Sequence, residues 1–531
     1  MKRKIAILLT TVMVITSLAA CAPAPQQGGA TPPGQGAAQQ GSTPPQGGTA
    51  PTPDSPAGGE LADTLNVALN AEPSNLLPFN NNEIFAATVQ RAIFNTLIYR
   101  DETHEFVGEA ARSWEHINDR TIRFHLHENM TFSDGTPVTA DDVAFTLMQN
   151  NEASRSMIFG LLESAEAVST YVVDVTTNDV NAAFLSNLAH ARTSIISRAA
   201  FERMGPDEYG RNPIGSGPFK LENWQSGSQI TLTRRDDFWG EMPTLQTINF
   251  RFISEEANRS IELEVGAVDV VLAPNLNDLD RMVGLGFVAH INDSNSMSQF
   301  KVSYENVPDP LLREALGWAV DRVALTEAVY GNDLASPANG LFPLLMPGFV
   351  ENYPVHFDVE HARRLVEQSS YNGEELEAIV ANISELTRIA EILQFYWREA
   401  GINVRINMGE QATVRERSSA GDFQILIDNS TWSTGDPSRP VTIFTSSGRN
   451  QFRLPDDVLA ELDRLERLGA TTLDMNERIE IYNEFQDIVM SLWINHPLSH
   501  RRMVYMSSAN VENLFAFPGG VLDTAFLRVY R

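Results

Sequence analysis

The chain has 531 residues, of which 43% are hydrophobic, and its formal net charge is -29 at pH 7. A charge this negative argues against nucleic acid and anionic membrane surfaces as partners. The length and the globular composition predict roughly two to three domains.

The amino terminus predicts export and lipid anchoring. Basic residues at positions 2–4 precede an apolar stretch over residues 5–20, a layout typical of a secretory signal peptide. Cys21, the only cysteine, ends the tetrapeptide LAAC, which resembles a bacterial lipobox. The resemblance implies that residues 1–20 are removed and that the Cys21 thiol is diacylated, which excludes disulfides, thiolate catalysis and cysteine metal sites. The alternative is an uncleaved anchor helix.

Residues 21–60 follow as a segment dominated by proline, glycine, glutamine, alanine and threonine. This composition cannot form a packed core, so it predicts a disordered tether after the lipidated cysteine. Such a tether would hold a folded body on the order of 30 to 50 Å from the membrane. The folded part is therefore predicted to be residues 61–531.

Periodicity predicts the first elements of the folded body. Residues 64–69 and 121–127 alternate in polarity, as half-buried strands do, and residues 83–99 carry apolar side chains at helical spacing. A glycine turn then leads to Thr139 and Asp142, which predict a capping box at the start of a helix. Strands that are followed by helices are therefore expected early in the chain.

Later segments continue this alternation. Residues 229–233 and 247–252 are predicted to be strands, and residues 311–330 to form one helix with an apolar stripe. Asp474 is predicted to cap another helix, which buries a face that extends to Trp493. Strands and helices alternate without a clear repeat, which predicts an α/β fold with several lobes.

Several motifs resemble those of one known family. They are FSDGTPVTADDV at residues 132–143, PIGSGPF at 213–219, RRDDFW at 234–239, residues 311–322, AGINV at 400–404 and GDF at 421–423 leading to Trp432 and Asp436. In this order they are similar to the extracellular solute-binding proteins of family 5, which are the receptors of oligopeptide, dipeptide and nickel ABC importers. The resemblance covers residues 61–531.

The resemblance implies a two-lobed α/β clamshell of the type II periplasmic-binding-protein kind, with an extra subdomain in lobe I. By family order, lobe I comprises about residues 61–105, 214–295 and 500–531, the subdomain about 106–213, and lobe II about 300–495. The ligand contacts both lobes only when they are closed, so ligand binding drives closure. The resemblance implies no chemical reaction of the ligand. The resemblance also implies a monomer. It is expected to deliver a small solute, a short peptide, to an ABC permease and its ATPase.

The loop after Trp432 departs from the family pattern. Trp432 matches a tryptophan that lines the cleft, where an indole can form an apolar wall. In peptide-binding members an aspartate just after that tryptophan pairs with the ammonium group of the peptide, and this chain lacks it. Asp428 or Asp436 could substitute, although Asp436 before a proline is as readily a turn residue.

Three further residues are candidates for the ligand site. Thr434 belongs to the shortened neutral loop, whose hydrogen-bonding character also suits an oligosaccharide. Arg439 could meet a carboxylate, although a solvated surface arginine is the simpler interpretation. His500 lies in the segment expected to return through the hinge, where it could face the cleft.

Metal sites, cofactors and catalysis are not expected. His125 with His127, and His356 with His361, could be proposed as metal ligands, but no other ligand-type residue clusters with them in the sequence. A secreted lipoprotein hydrolase is the alternative from another class. Neither a Gly-x-Ser-x-Gly elbow nor a His-Glu-x-x-His helix supports it.

Overall fold

The computed structural model describes residues 59–80, 83–153, 157–158, 160–331, 333–350, 356–517 and 519–531. These residues belong to one compact unit, Pro56–Arg531. The predicted signal peptide, Cys21 and almost all of the predicted tether lie outside the described residues. None of the helices described here is long and apolar enough to cross a membrane.

The strands, in chain order, are β1 Thr64–Leu69, β2 Ile98–Arg100, β3 Phe106–Gly108, β4 Ala111–Asn118, β5 Thr121–Leu126, β6 Leu162–Ser169, β7 Val172–Thr177, β8 Phe219–Gln225, β9 Gln229–Arg234, β10 Thr247–Phe252, β11 Val270–Leu272, β12 Val288–Val302, β13 Ala335–Pro337, β14 Leu376–Ala381, β15 Val404–Gly409, β16 Ile425–Thr431, β17 Asn495–Ser507, β18 Val511–Glu512, β19 Phe515–Ala516, β20 Leu522–Asp523 and β21 Arg528–Val529.

The helices, in chain order, are α1 Ile84–Ile93, α2 Ala140–Glu152, α3 Phe184–Leu188, α4 Arg198–Arg211, α5 Glu256–Glu264, α6 Leu279–Gly284, α7 Pro310–Trp318, α8 Arg322–Tyr330, α9 Val359–Gln368, α10 Ser384–Glu399, α11 Gln411–Ser419, α12 Ser438–Val441, α13 Asp456–Thr471 and α14 Met475–Ser491. Short 3₁₀ turns occur at Pro78–Asn80, Ala191–Thr193, Leu276–Asp278, Thr442–Phe444 and Ser446–Gly448.

One large sheet connects the two halves of the molecule. Its strand order is β15-β14-β16-β12-β17-β11-β1-β10-β9-β8, and β13 also pairs with β17. On one side β1 runs parallel to β10 and β11, and on the other β14 runs parallel to β15 and β16. Each side has its own apolar core, one around Phe250 and one around Phe300. The β1 side corresponds to the predicted lobe I and the β14 side to the predicted lobe II.

The long strands β12 and β17 cross between the two sides. Val288–Asn292 of β12 pairs with β17 where β17 also meets β11, whereas Ser296–Val302 lies between β17 and β16. The register shifts between Asn292 and Ser296, so the strand is irregular where it leaves one lobe for the other. The numerical lobe boundaries remain predictions.

A separate four-stranded antiparallel sheet, of order β4-β5-β7-β6, packs with α2 around its own apolar core. The predicted capping box begins α2. The Thr139 backbone N–H donates to Asp142 Oδ2 at 3.0 Å, and the Thr139 hydroxyl donates to the same oxygen at 2.7 Å. This sheet falls within the range predicted for the subdomain.

Two predicted helices are shorter than expected. The helix predicted over residues 83–99 ends at Ile93, because Phe94 is extended and Thr96 donates from its backbone N–H and its hydroxyl to the Glu109 carboxylate at 2.6 and 2.7 Å. The helix predicted over 311–330 is two helices, α7 and α8. Asp321 interrupts it by capping α8, accepting from the Ala324 N–H at 3.0 Å.

The last predicted helix begins as expected but ends early. Asp474 accepts from the backbone N–H groups of Asn476 and Glu477 at 2.9 and 3.0 Å, which confirms the cap of α14. The helix ends at Ser491, and Trp493 lies beyond it with a φ of 53°. A left-handed backbone cannot continue a right-handed helix, so the prediction that Trp493 lies on this helix was wrong.

Candidate functional site

A space that is partly open to solvent lies between the two lobes. Arg91, Arg100 and Gly519 line it from lobe I, and His190 lines it from the predicted subdomain. The loop formed by residues 433–435 closes it from lobe II. Its volume is about 680 Å³, part of which is open to solvent. All parts of the clamshell therefore meet around one space.

The loop that closes the space is hydrogen-bonded to the irregular part of β12. The Trp432 backbone N–H donates to the Asn295 carbonyl at 2.9 Å, and the Gly435 N–H donates to the Trp432 carbonyl at 3.1 Å. Asn295 lies within the register shift of β12 and itself lines the space. The crossing strand thus fixes the turn that presents Ser433 and Thr434.

A hydrogen bond links the subdomain to this loop. The Nε2 atom of His190 and the Oγ atom of Ser433 are 2.9 Å apart, and His190 Nδ1 accepts from the Arg192 backbone N–H at 3.2 Å. With Nδ1 accepting, the ring carries its proton on Nε2 and donates to Ser433. Burial lowers the pKa of His190 to about 3, and the charges of Arg192 and Arg439 add to this effect. The imidazole is therefore neutral near pH 7.

Two other contacts bring lobe II against the opposite surface. A methyl group at Gly519 would lie 2.9 Å from Ser433 Cβ, closer than carbon atoms pack, so only glycine allows this approach. Farther along the cleft, the Ala182 N–H donates to the Ala470 carbonyl at 2.9 Å. The lobes are therefore in contact across the cleft.

Arg100 lines the space without a carboxylate partner. Its guanidinium donates from Nη1 to the His104 carbonyl at 3.1 Å and from Nη2 to Ser186 Oγ at 2.8 Å, and it lies over the Phe106 ring at 4.3 Å. Its buried Nε atom has no hydrogen-bond partner among the described residues. Burial lowers the pKa of Arg100, against the smaller opposing effects of Asp436 and Glu105.

The other arginine in the lining is neutralised. Arg91 Nη1 lies 3.0 Å from Glu109 Oε2, and both side chains are largely buried. Among the described residues that line this space there is no aspartate or glutamate. Polar atoms there are also unsatisfied, since Asn295 Oδ1 and Thr434 Oγ1 are buried without a hydrogen-bond partner in the described part of the chain. Arg100 is therefore the arginine of this lining without a counter-charge among the described residues, and the unsatisfied polar groups beside it could bind a ligand.

The two acids predicted as possible amine anchors are both paired within the protein. Asp436 forms a bidentate pair with Arg478, with N–O distances of 2.8 and 3.1 Å, and the two side chains are 2% and 1% exposed. Burial would raise the pKa of Asp436, but Arg478 outweighs this and holds it below its ordinary value. Asp428 accepts from Lys301 Nζ at 2.8 Å on the neighbouring strand. Neither acid lines the space between the lobes.

The remaining predicted residues are spread around the space. Thr434 lines it, with 4% exposure. Trp432 is half-buried and packs against an apolar core of lobe II, and exposed Arg439 places Nη2 3.3 Å from Met157 Sδ of the predicted subdomain. His500 is 4% exposed on β17, between β12 and β13, with its ring against Phe349. The ligand roles of all six residues stay predictions.

Three residues that line the space, Arg100, His190 and Asn295, could not be found from the sequence. They come from distant segments and meet only in the folded chain, so no local motif contains them. No group of three or more His, Cys, Asp or Glu side chains arranged to hold a metal ion is found in the described part of the chain.

Comparison with known proteins decides the family. The sequence profile described as "Bacterial extracellular solute-binding proteins, family 5 Middle" matches residues 105–452, more than half of the chain. The chain belongs to this family. Family 5 is made of solute-binding receptors rather than enzymes, and its two-lobed architecture is the one described above.

Individual family 5 relatives share the architecture at low sequence identity. The chain is 23% identical to the glutathione-binding protein GsiB of Pectobacterium atrosepticum over 482 residues, covering 87% of this chain and 92% of that protein. The Helicobacter pylori binding protein DppA, solved with peptide STSA, aligns with a TM-score of 0.75 at 22% identity over 88% and 98% of the two chains. NikA from Brucella suis, solved with Fe(III)-EDTA, aligns at 0.79 and 21% identity over 87% and 97%.

Proposed function

We propose that this protein is the receptor of an ABC importer, which captures a small solute between its lobes and presents it to a membrane permease. The observation that carries the proposal is the space between the lobes, lined from lobe I, the subdomain and the loop at residues 433–435. A ligand there touches every moving part, so its binding free energy favours the closed state. The lobes are in contact around this space, so cargo enters while they are apart.

We propose a short peptide as the cargo class. Two of the similar proteins are named for or solved with peptides, the glutathione-binding protein GsiB and DppA with peptide STSA. Backbone and side-chain donors and acceptors at Asn295, Ser433 and Thr434 suit an extended peptide with its own amides. NikA, solved with Fe(III)-EDTA, shows that other small solutes occupy this fold. An oligosaccharide remains the competing cargo, because the same neutral groups also bind hydroxyls.

We propose that Cys21 anchors the protein to the outer face of the membrane through a lipid. The support is the order of basic residues, apolar residues and cysteine at positions 2–21, followed by a segment rich in proline and glycine. Mass spectrometry of the protein from membranes tests this directly. A diacylated amino terminus at Cys21 is expected, and an intact amino terminus at Met1 would contradict it.

Melting temperature in the presence of ligand pools tests the receptor role. A ligand that binds only the folded protein stabilises it by about 2.7 kcal/mol at a hundredfold excess over Kd. Pools of di- to octapeptides are expected to raise the melting temperature, and pools of neutral oligosaccharides are not. A shift with sugars alone would replace the peptide assignment. Turnover of either pool would contradict the receptor role.

A further inference from the structure

We propose that the cargo is held by a carboxylate, with Arg100 as its anchor, and that a free ammonium group on the cargo is not required. This inference rests on the proposed function and narrows it to a chemical class of solute. The chain as a whole is strongly acidic, with a net charge of -29, yet the space between the lobes is lined by one arginine without a counter-charge, Arg100, and by no acid in the described lining. That local reversal of charge favours an anionic ligand over a cationic one.

Arg100 carries the argument because its charge is not neutralised where it lies. It has no ion-pair partner among the described residues, and its bound acceptors are a carbonyl and a hydroxyl, both uncharged. A half-buried guanidinium held only by neutral oxygens gains from a carboxylate, which binds a guanidinium through charge-assisted hydrogen bonds. The unsatisfied Nε of Arg100 is a donor that such a carboxylate could use.

The charges of Asp436 and Glu105 act on this arginine, and neither acid forms an ion pair with it among the described residues. Glu109 is paired with Arg91 and Asp436 with Arg478, and each also accepts from other groups. Opening either pair to serve Arg100 would leave another arginine buried without a partner, which is costly. Glu105 is exposed and forms no ion pair with Arg100 among the described residues, so we assign the carboxylate that neutralises Arg100 to the cargo.

Two more arginines extend the positive field at the edge of the space. Arg192 follows directly after His190 and Ala191, which line it, and Arg439 reaches across the cleft to Met157. Burial and the charge of Arg439 together lower the pKa of Arg192 to about 10, so the two positive charges act on each other. Bringing two like charges together costs free energy, and an anion between the lobes would offset that cost.

The absence of an acid in the lining bears on the other end of the cargo. An ammonium group bound there would face positive charge rather than a carboxylate. Asp428 and Asp436, the acids that could have served, are occupied by Lys301 and Arg478. A cargo with a blocked amine is therefore expected to bind as well as one with a free amine.

Matched peptide pools test the inference on the whole protein. One pool of tri- and tetrapeptides is used in three forms: with free termini, N-acetylated, and C-terminally amidated. The free and N-acetylated pools are expected to raise the melting temperature alike, and the amidated pool to raise it much less. Equal shifts with the amidated and free pools would overturn the carboxylate anchor while leaving the receptor role intact. Shifts lost on acetylation would overturn the claim about the amine.

Variants locate the carboxylate site. For a peptide that binds the wild type, Arg100→Gln is expected to weaken affinity by about ten- to a hundredfold, the range of a hydrogen bond between charged groups. It should also remove the preference for free acid over amide, an effect that a merely structural role would not produce. Arg464→Gln, in an exposed ion pair on α13, is the matched control and should change neither. Preserved discrimination in Arg100→Gln would reject Arg100 as the anchor.

The peptide comparison on the wild type decides the chemical class even if Arg100→Gln does not fold. Arg100→Lys then tests the role of Arg100, because lysine retains the positive charge and lacks the planar guanidinium group. It should keep the preference for free acid over amide at reduced affinity. No shift with any peptide form would remove the peptide assignment and this inference together, whereas shifts that ignore the carboxylate would remove the inference alone.

Discussion

His190 of the predicted subdomain donates a hydrogen bond of 2.9 Å to Ser433 of lobe II, across the cleft in which we expect cargo to bind. The bond can form only while the lobes are in contact, since its two partners are carried by different parts of the clamshell. It therefore belongs to the closed state and contributes nothing to the open one.

We first predict that removing this bond weakens ligand binding without unfolding the protein. His190→Ala and Ser433→Ala should each lower peptide affinity severalfold, because a neutral hydrogen bond contributes about 0.5–1.5 kcal/mol. The double variant should lose little more than either single one, since both remove the same bond. Calorimetric titration measures this, and fully additive losses would show that the two residues act separately.

Gly519 provides a second test of closure. Gly519→Ala introduces a methyl group 2.9 Å from Ser433 Cβ, so the closed state should be disfavoured by about 1–3 kcal/mol and affinity should fall about five- to 150-fold. Gly284→Ala is the control, because a methyl group there meets no atom within 4 Å. Small-angle scattering with saturating ligand should show Gly519→Ala to be more open. Unchanged affinity would mean that the loop at residues 433–435 moves to accommodate the methyl group.

The pair between Asp436 and Arg478 predicts a stability effect. Asp436→Asn leaves the Arg478 guanidinium, which is 1% exposed, without its counter-charge. Breaking a buried pair in this way costs about 3–5 kcal/mol. Urea unfolding of the ligand-free protein measures the loss. Glu461→Gln, in an exposed pair with Arg464, should cost less than about 1 kcal/mol. A variant of full stability that had lost its ligand would instead assign Asp436 to the binding site.

Buried histidines predict how stability depends on pH. Burial lowers the pKa of His496 to about 3 and that of His500 to about 4, whereas an unfolded histidine titrates near about 6.5. Between these values the unfolded chain binds more protons, so stability is fully present above about pH 6.5 and is lost as the pH falls. Each histidine contributes a slope of up to about 1.4 kcal/mol per pH unit.

Unfolding free energies between pH 5 and pH 7.5 check this dependence. His500→Gln should reduce the slope, because one buried titrating ring is removed. His116→Gln, at an exposed position on β4, should leave it unchanged. A slope that persists in full after His500→Gln would show that His500 binds a proton as readily in the folded protein as in the unfolded chain.

The fold was largely predictable because burial imposes periodicity on single segments. The alternation at residues 64–69 and 247–252 predicted β1 and β10 with their observed bounds, since one face of each strand is buried. The break between α7 and α8 was not predictable in this way. Ala319 and Val320, which lie between the two helices, are both fully buried, so the apolar stripe continues through a point where the helix does not.

Residues of the candidate site were predictable only where a single sequence motif contained them. The loop after Trp432 was recognised from its resemblance, and Thr434 of that loop lines the space between the lobes. Arg100 ends the short strand β2 with nothing around it to suggest a ligand, and its importance comes from the lack of an ion-pair partner in the described part of the fold. Similarly, Asp428 and Asp436 looked available because Lys301 and Arg478, their partners, are far from them in sequence.

The register shift in β12 has a consequence for the order of events during capture. Asn295 sits in that shift, on one of the strands that cross between the lobes and that we expect to act as the hinge, and it lines the space between them. A point on an axis of rotation hardly moves while the bodies on either side swing through large arcs. Cargo that touches Asn295 would keep this contact from first encounter to full enclosure. The protein would thus contact its solute at the hinge before either lobe closes over it.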